Sequence, residues 1–233
     1  MTSATYLARR DQLERYFDRT AVDAWKRMTS DAPLGRVRAT VRAGRDAMRA
    51  TILSWLPHDL RGARVLDAGC GTGALAHDLA RRGASVVAID VSPTLIELAR
   101  ERTSGERVAG QATFTVGDML DPALGNFDYV VAMDSLIHYD GVDIARIAAA
   151  LAARTRSTIV FTIAPRTPAL SIMHAVGRFF PHRDRAPAIA PIAKRTLERH
   201  FESHPELSSW TIVRSNRIDS GFYVSQALEA MRT

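Results

Sequence analysis

Val65-Leu66-Asp67-Ala68-Gly69-Cys70-Gly71-Thr72-Gly73 is the stretch on which the reading of this chain turns. Residues 64–68 have the length and apolar character of a buried strand, and they empty into three glycines spaced by one residue, then into a helical pattern over 74–82. Glycine lets the backbone turn sharply and approach a ligand where a Cβ would clash. The helix that follows presents unpaired N–H groups at its start. Strand, glycine turn and helix form the opening unit of a βαβ sheet that takes a nucleotide at its carboxyl edge. Taken alone, a Gly-x-Gly-x-Gly turn is weak evidence, since dinucleotide-binding oxidoreductases have related turns. Their Gly-x-Gly-x-x-Gly spacing would need a glycine where Ala74 stands.

The same rhythm continues outward. Strands are predicted at 85–90, 113–117, 127–133 and 158–163, with helices at 92–102 and 142–153 between them. The runs 210–219 and 221–227 are close enough to form an antiparallel hairpin on the sheet edge. The expected fold is therefore α/β, a doubly wound, mostly parallel seven-stranded sheet. After the fifth strand the alternation breaks at Pro165, and Pro168, Pro181, Pro187 and Pro191 intervene before a short helix at 194–201. An insertion of that length serves as a lid or binding segment or is disordered, and Leu170, Ile172, Met173, Val176, Phe179 and Phe180 argue against disorder. Upstream, two helical stripes run Leu13, Phe17, Ala21, Ala24, Trp25, Met28 and Val37, Val41, Met48, Ile52, Trp55, Leu56, ending at Pro57. The predicted division is a helical, substrate-side appendage at 1–56 and a Rossmann-like domain at 57–233 carrying the insertion at 165–200.

Composition narrows the class. The 233 residues, 46 % hydrophobic, suffice for one sizeable core. No apolar run approaches the roughly 18 residues of a membrane span, and Met1 to Arg10 resembles no secretory signal, so a cytoplasmic location is expected. The single cysteine, Cys70, supports neither a disulfide framework nor a cysteine metal site. The net charge of +6 is uneven: residues 1–50 carry 11 Lys/Arg against 6 Asp/Glu, and residues 165–200 carry 7 against 2. Both segments lie outside the nucleotide-binding core, which points to an acidic partner held by them.

Acids mark three successive strand tips: Asp67, Asp90, which follows it by 23 residues, and Gly117-Asp118-Met119. A carboxylate after the second strand can accept from ribose hydroxyls. Asp118 can accept from an adenine amine, with Met119 packing on the ring. The alternative is that Asp67 and Asp90 cap helices, with Ser92-Pro93 as a turn. The three tips together resemble the class I methyltransferase superfamily over about residues 60–165. The resemblance implies S-adenosylmethionine as cofactor, with S-adenosylhomocysteine (SAH) as its product. It implies a cofactor site made of Asp67, Gly69, Cys70, Gly71, Gly73, Asp90, Val91, Asp118, Met119 and Met133. Asp67 and the glycines would lie near the methionine part and Asp90 on the ribose.

After the fourth strand comes Asp134-Ser135-Leu136-Ile137-His138-Tyr139, without the Asn/Asp-Pro-Pro-aromatic run of enzymes that methylate base amino groups. Together with Tyr16-Phe17-Asp18-Arg19, Trp25, Phe180-Pro181, Asp184-Arg185-Ala186-Pro187 and Gly221-Phe222-Tyr223, this segment makes the chain resemble the magnesium-protoporphyrin IX methyltransferases of bacteriochlorophyll synthesis. One departure stands out: where those relatives read Trp-x-x-Ile-Tyr-Gly, this chain reads Trp25-Lys26-Arg27-Met28-Thr29-Ser30. Tyr16 or Tyr139 then has to supply the role of that tyrosine.

The resemblance implies esterification of a propionate of magnesium protoporphyrin IX. A flat apolar disc with two carboxylates needs apolar walls and guanidinium partners, which Trp25, Arg178, Phe179, Phe180, Arg183 and Arg185 would provide. His138, with Tyr139 or Tyr16 assisting, is the expected catalytic group, although a purely structural histidine fits the sequence equally well. Magnesium arrives only as part of the porphyrin, and no acidic cluster reads as a resident metal cage. No nucleic-acid partner is expected. The magnesium chelatase that delivers the pigment, and an anionic membrane touched peripherally by the basic amphipathic start, stay open as partners. Three rivals remain at this point: an O-methyltransferase acting on another small acceptor such as a quinone phenol, a non-catalytic cofactor- or porphyrin-binding module, and a basic RNA methyltransferase.

Overall fold

The computed structural model describes residues 3–19, 35–166 and 188–233. Its sheet grows from runs in which neighbouring residues are both buried. In β1 (Arg64–Ala68), Val65 packs into the core on one face of the sheet and Leu66 into the core on the other, the signature of a strand covered on both sides. β1, β2 (Ser85–Asp90), β3 (Gln111–Val116), β4 (Phe127–Ala132) and β5 (Thr155–Ile163) are parallel. β7 (Tyr223–Arg232) lies antiparallel on β5, and β6 (Trp210–Ser220) antiparallel on β7. The order β3-β2-β1-β4-β5-β7-β6 reverses direction between β1 and β4. Loops leaving the carboxyl ends of these two strands diverge to opposite faces, and the crevice between them is where doubly wound sheets bind ligands.

Helices cover both faces. On one, Met48 and Ile52 of α2 (Arg36–Trp55) join Leu75 and Leu79 of α3 (Ala74–Arg81) and Ile96 of α4 (Pro93–Thr103) over Val65, Val131 and Val160. On the other, Ile144, Ile147 and Leu151 of α5 (Gly141–Ala152) pack with Leu197 and Phe201 of α6 (Lys194–Glu202), and Phe161 stacks on Phe201 at 5.8 Å. Local chemistry starts these helices where it should. The Ser92 hydroxyl accepts from Leu95 N–H ahead of Pro93 at the head of α4, and the Asp140 carboxylate accepts from Asp143 N–H at the head of α5.

α1 (Ala4–Arg19) crosses the carboxyl edge of the sheet and is fastened along its length. Ser3 donates to Asp143, Tyr6 and Arg10 donate to Asp118, and Asp18 accepts from the Ser92 hydroxyl and Thr94 N–H. Tyr6 and Arg10, one helical turn apart, share the face that meets the loop after β3.

Most expected boundaries fall within a residue of the observed ones, and four elements differ by more. β3 begins at Gln111 and ends at Val116, because in-register pairing with Ser85 to Asp90 fixes both ends. β5 begins at Thr155, opposite Phe127, in a polar stretch that hides the strand from its composition. β7 runs on to Arg232, since pairing with both β5 and β6 carries it past the apolar run. The helix expected through Met28 is described as far as Arg19, and the rest of that stripe, like most of the insertion, lies outside the described residues. No helix among the described residues is long and apolar enough to cross a membrane.

Candidate active site

A cavity of about 350 Å³ opens at the carboxyl edge between β1 and β4, within the range of small-molecule sites. The turn after β1 builds one wall. Gly69 and Cys70 N–H both donate to the Ile89 carbonyl, pinning the turn to β2. Gly71 has φ +55° and a Cβ there would project into open space, so its missing side chain leaves room in the cavity. Its N–H donates to Asp90 Oδ2 at 2.9 Å, while Ser92 N–H donates to Oδ1 at 3.0 Å. Two backbone donors therefore orient the Asp90 carboxylate at the tip of β2. Burial raises its carboxyl above the usual range, and those N–H groups oppose the rise.

Asp67 lies deeper, 1 % exposed, and accepts from Ala76 N–H. Its Oδ2 has no hydrogen-bond partner. Burial first, and then the neighbouring Asp90 carboxylate, push the Asp67 carboxyl up to about 7. An unpartnered buried carboxylate oxygen in a cavity is costly in isolation and suits a ligand that brings a cation or a donor. These groups fit S-adenosylmethionine: Asp67 would hold the positively charged methionine end, Gly71 would allow close approach and Asp90 would accept from the ribose hydroxyls. Val91, Met119 and Met133 also line the cavity, and so does Cys70, whose thiol is held well above its ordinary pKa by burial and the two acids.

Two cofactor residues expected from the sequence stand elsewhere. Gly73 (φ +80°) is not in the cavity wall; a Cβ there would fall 2.7 Å from the Phe114 ring and 3.0 Å from Ala99, so this glycine serves helix-on-strand packing. Asp118 is also outside the wall. Its Oδ1 accepts from the Tyr6 hydroxyl at 2.5 Å and from Leu120 N–H, and its Oδ2 from Arg10 at 3.0 Å, so it fastens α1, while Gly117 and Met119 on either side of it line the cavity. This docking of α1 over the loop after β3 is announced by no local pattern.

The acceptor side is the segment 134–139 beyond β4. The Ser135 hydroxyl donates to the Ala68 carbonyl, and Gly69 passes so close to Ser135 that a Cβ would overlap it. One helical turn (Leu136–His138) then carries His138 into the wall, edge-to-face with Phe17 at 6.3 Å. Tyr139 also lines the cavity and stacks on Tyr6 at 5.3 Å, with its hydroxyl held above its ordinary range chiefly by burial. Tyr16 does not line the cavity: successive helix residues diverge by about 100°, and in α1 it is Phe17 that faces inward.

Sequence reading missed the part played by α2. Arg42, Arg45, Asp46 and Arg49 line the cavity, at a spacing of three or four that marks one helix face. That spacing was the available signal. The expected substrate residues Trp25, Arg178, Phe179, Phe180, Arg183 and Arg185 lie outside the described residues. The described ends of the insertion meet beside the acceptor segment, where Ile192 N–H donates to the Ala164 carbonyl and Ala190 N–H to the Ile137 carbonyl.

Comparison with known proteins agrees with this geometry. Residues 132–232 match the family model described as the magnesium-protoporphyrin IX methyltransferase C-terminus, and residues 65–158 match a general methyltransferase domain. The magnesium-protoporphyrin O-methyltransferase of Rhodobacter capsulatus is 50 % identical over 96 % of this chain and 97 % of its own length. A ubiquinone biosynthesis O-methyltransferase of Methylocella silvestris is 38 % identical over only 52 % of the chain and 51 % of its own. Among solved structures, the magnesium protoporphyrin IX methyltransferase of Synechocystis PCC 6803 with bound SAH superimposes with a TM-score of 0.82 at 27 % identity, over 96 % of this chain and 99 % of that one. The chain belongs to the magnesium-protoporphyrin IX methyltransferase family.

Proposed function

We propose that this protein transfers a methyl group from S-adenosylmethionine to a propionate carboxylate of magnesium protoporphyrin IX. The observation that carries the reading is that His138 and Tyr139, from a motif the chain shares with that family, line the same cavity as the glycine turn and its two acids. When bound, the cofactor supplies an electrophilic methyl on a sulfonium.

A propionate, with a reference pKa of about 4, is already ionised at neutral pH. No base has to create the nucleophile. The work left to the chain is to strip water from one carboxylate oxygen and hold it in line with the methyl, where proximity supplies much of the rate. His138 donates a hydrogen bond to the acceptor carboxylate, and the apolar faces of Phe17 and Leu13 exclude water beside it. Tyr139 assists in preference to Tyr16, because only Tyr139 borders the cavity. The arginines of the insertion, Arg178, Arg183 and Arg185, pair with the second propionate. A quinone phenol, with a pKa near 10, would need a general base, and the similarity to the quinone enzyme spans only about half the chain.

The same reading has the magnesium chelatase handing over the pigment, and the basic start of the chain meeting an anionic membrane peripherally. Flotation with anionic and neutral vesicles tests the latter. Incubating the protein with methyl-labelled S-adenosylmethionine and protoporphyrin, with and without bound magnesium, tests the main proposal. Label appearing in a porphyrin ester, preferentially with magnesium, is the expected result. Label in neither porphyrin overturns it.

A further inference from the structure

We propose that Asp134 is a positioning residue for methyl transfer, its carboxylate fixing the segment that brings His138 and Tyr139 to the cavity. This rests on the acceptor-side reading given above. Among the described residues, glycines aside, Asp134 alone has a left-handed backbone, with φ +56°. Aspartate tolerates that region better than most residues, yet a strained conformation persists only where its surroundings over-determine it.

Here the surroundings do so. The Tyr223 hydroxyl donates toward both carboxylate oxygens at 3.0 and 3.1 Å, Ser225 donates to Oδ1 at 3.2 Å, Thr162 to Oδ1 at 3.3 Å and Arg45 to Oδ2 at 2.9 Å. In return, Asp134 N–H donates to the Thr162 hydroxyl at 2.7 Å. The carboxylate is 6 % exposed, Tyr223 is buried, and α2 crosses so tightly that a Cβ on Gly44 would overlap the Tyr223 ring.

Donors from α2, β5 and β7 thus converge on the second residue after β4. The next residue ties to the cofactor turn through the Ser135–Ala68 bond, and His138 follows within one helical turn. This links two distant sequence motifs, 134–139 and Gly221-Phe222-Tyr223, through one carboxylate. The hairpin thereby reaches the reacting centre without bordering it.

Tyr223→Phe deletes one oxygen, and Asp134→Asn keeps the shape and the tolerance of positive φ while removing the charge. Calorimetry on each full-length variant should show SAH affinity within twofold of the parent, which establishes that the cofactor site is intact. Turnover of magnesium protoporphyrin should fall tenfold or more, with a smaller change in KM. Independently of turnover, the imidazole NMR signal of His138, identified among the seven histidines by its loss in His138→Ala, should move in both variants. Should Asp134→Asn fail to fold, Tyr223→Phe carries the test. A His138 signal that stays in place overturns the positioning role, whatever turnover does. If the parent protein methylates no porphyrin, the proposed function fails, while the NMR signal still decides whether Asp134 sets the position of His138.

Discussion

One wall of the cavity is assembled locally and the other across the whole chain. Asp67, Gly71 and Asp90 come from two consecutive strand–loop units, and backbone N–H groups do the orienting over a span of 19 residues from Gly71 to Asp90. The acceptor wall draws Phe17 from α1, Arg45 from α2 and His138 from beyond β4, with Tyr223 of the hairpin bracing Asp134 from behind, through contacts separated by 89 to 121 positions in sequence. The first wall is a property of the βαβ unit and needs only the turn to form. The second exists only when helices and hairpin have docked, so it is the part that can be retuned to a new acceptor without disturbing the cofactor. Similarity to the quinone enzyme over about half the chain, against similarity to the porphyrin enzyme over nearly all of it, fits that division.

If the division is right, substitutions sort by wall. The largest effect belongs to Asp90→Ala. Losing a buried carboxylate that holds Gly71 and Ser92 N–H and would accept from the ribose should weaken SAH binding about 100-fold, from hydrogen bonds to a charged group worth about 1.5–3 kcal/mol each. Equilibrium dialysis reads it, and binding within threefold of the parent would break the comparison. Next, His138→Ala should lower turnover about 30-fold, the loss of one charge-assisted bond of roughly 2 kcal/mol, with SAH affinity unchanged. Unchanged turnover would remove the acceptor wall from the chemistry.

The pH dependence of binding should be about tenfold. With the Asp67 carboxyl at about 7 in the free protein, a ligand cation that requires it ionised binds more tightly as pH rises from about 6 to about 8. Stability runs the other way. Between about pH 4 and pH 7 the folded state keeps a proton that the unfolded chain has lost, so stability falls as pH rises through that window. Asp67→Asn should flatten both profiles; parallel curves for parent and variant would contradict the assignment. The smallest contrast separates two glycines. Gly73→Ala should destabilise the fold by about 2 kcal/mol through overlap with Phe114. Gly71→Ala, with open space around its Cβ, should cost affinity more than stability. Melting curves with and without SAH distinguish the two.

Legibility followed the same line. β1 and β2 fall where the apolar runs and glycines place them, and Asp67 and Asp90 stand in the cavity, because strand length, turn and acid are all encoded within a few residues. The seven-stranded topology was also readable from the alternation of periods and the closing hairpin. The part of Asp118 in fastening α1 was not legible because its partners, Tyr6 and Arg10, lie more than a hundred positions away. Arg42, Arg45 and Arg49 were passed over since a helix shows its faces in sequence but not which one meets a ligand. The end of β7 was missed because sheet pairing, not hydrophobicity, extends it.

Titrating S-adenosylmethionine and SAH into the full-length protein by calorimetry tests the central claim most directly, namely that the loops after β1 and β2 clasp a sulfonium nucleoside. The account predicts saturable one-to-one binding of both compounds, with S-adenosylmethionine binding at pH 7 accompanied by net proton release as Asp67 ionises. Absence of binding by either compound would contradict it.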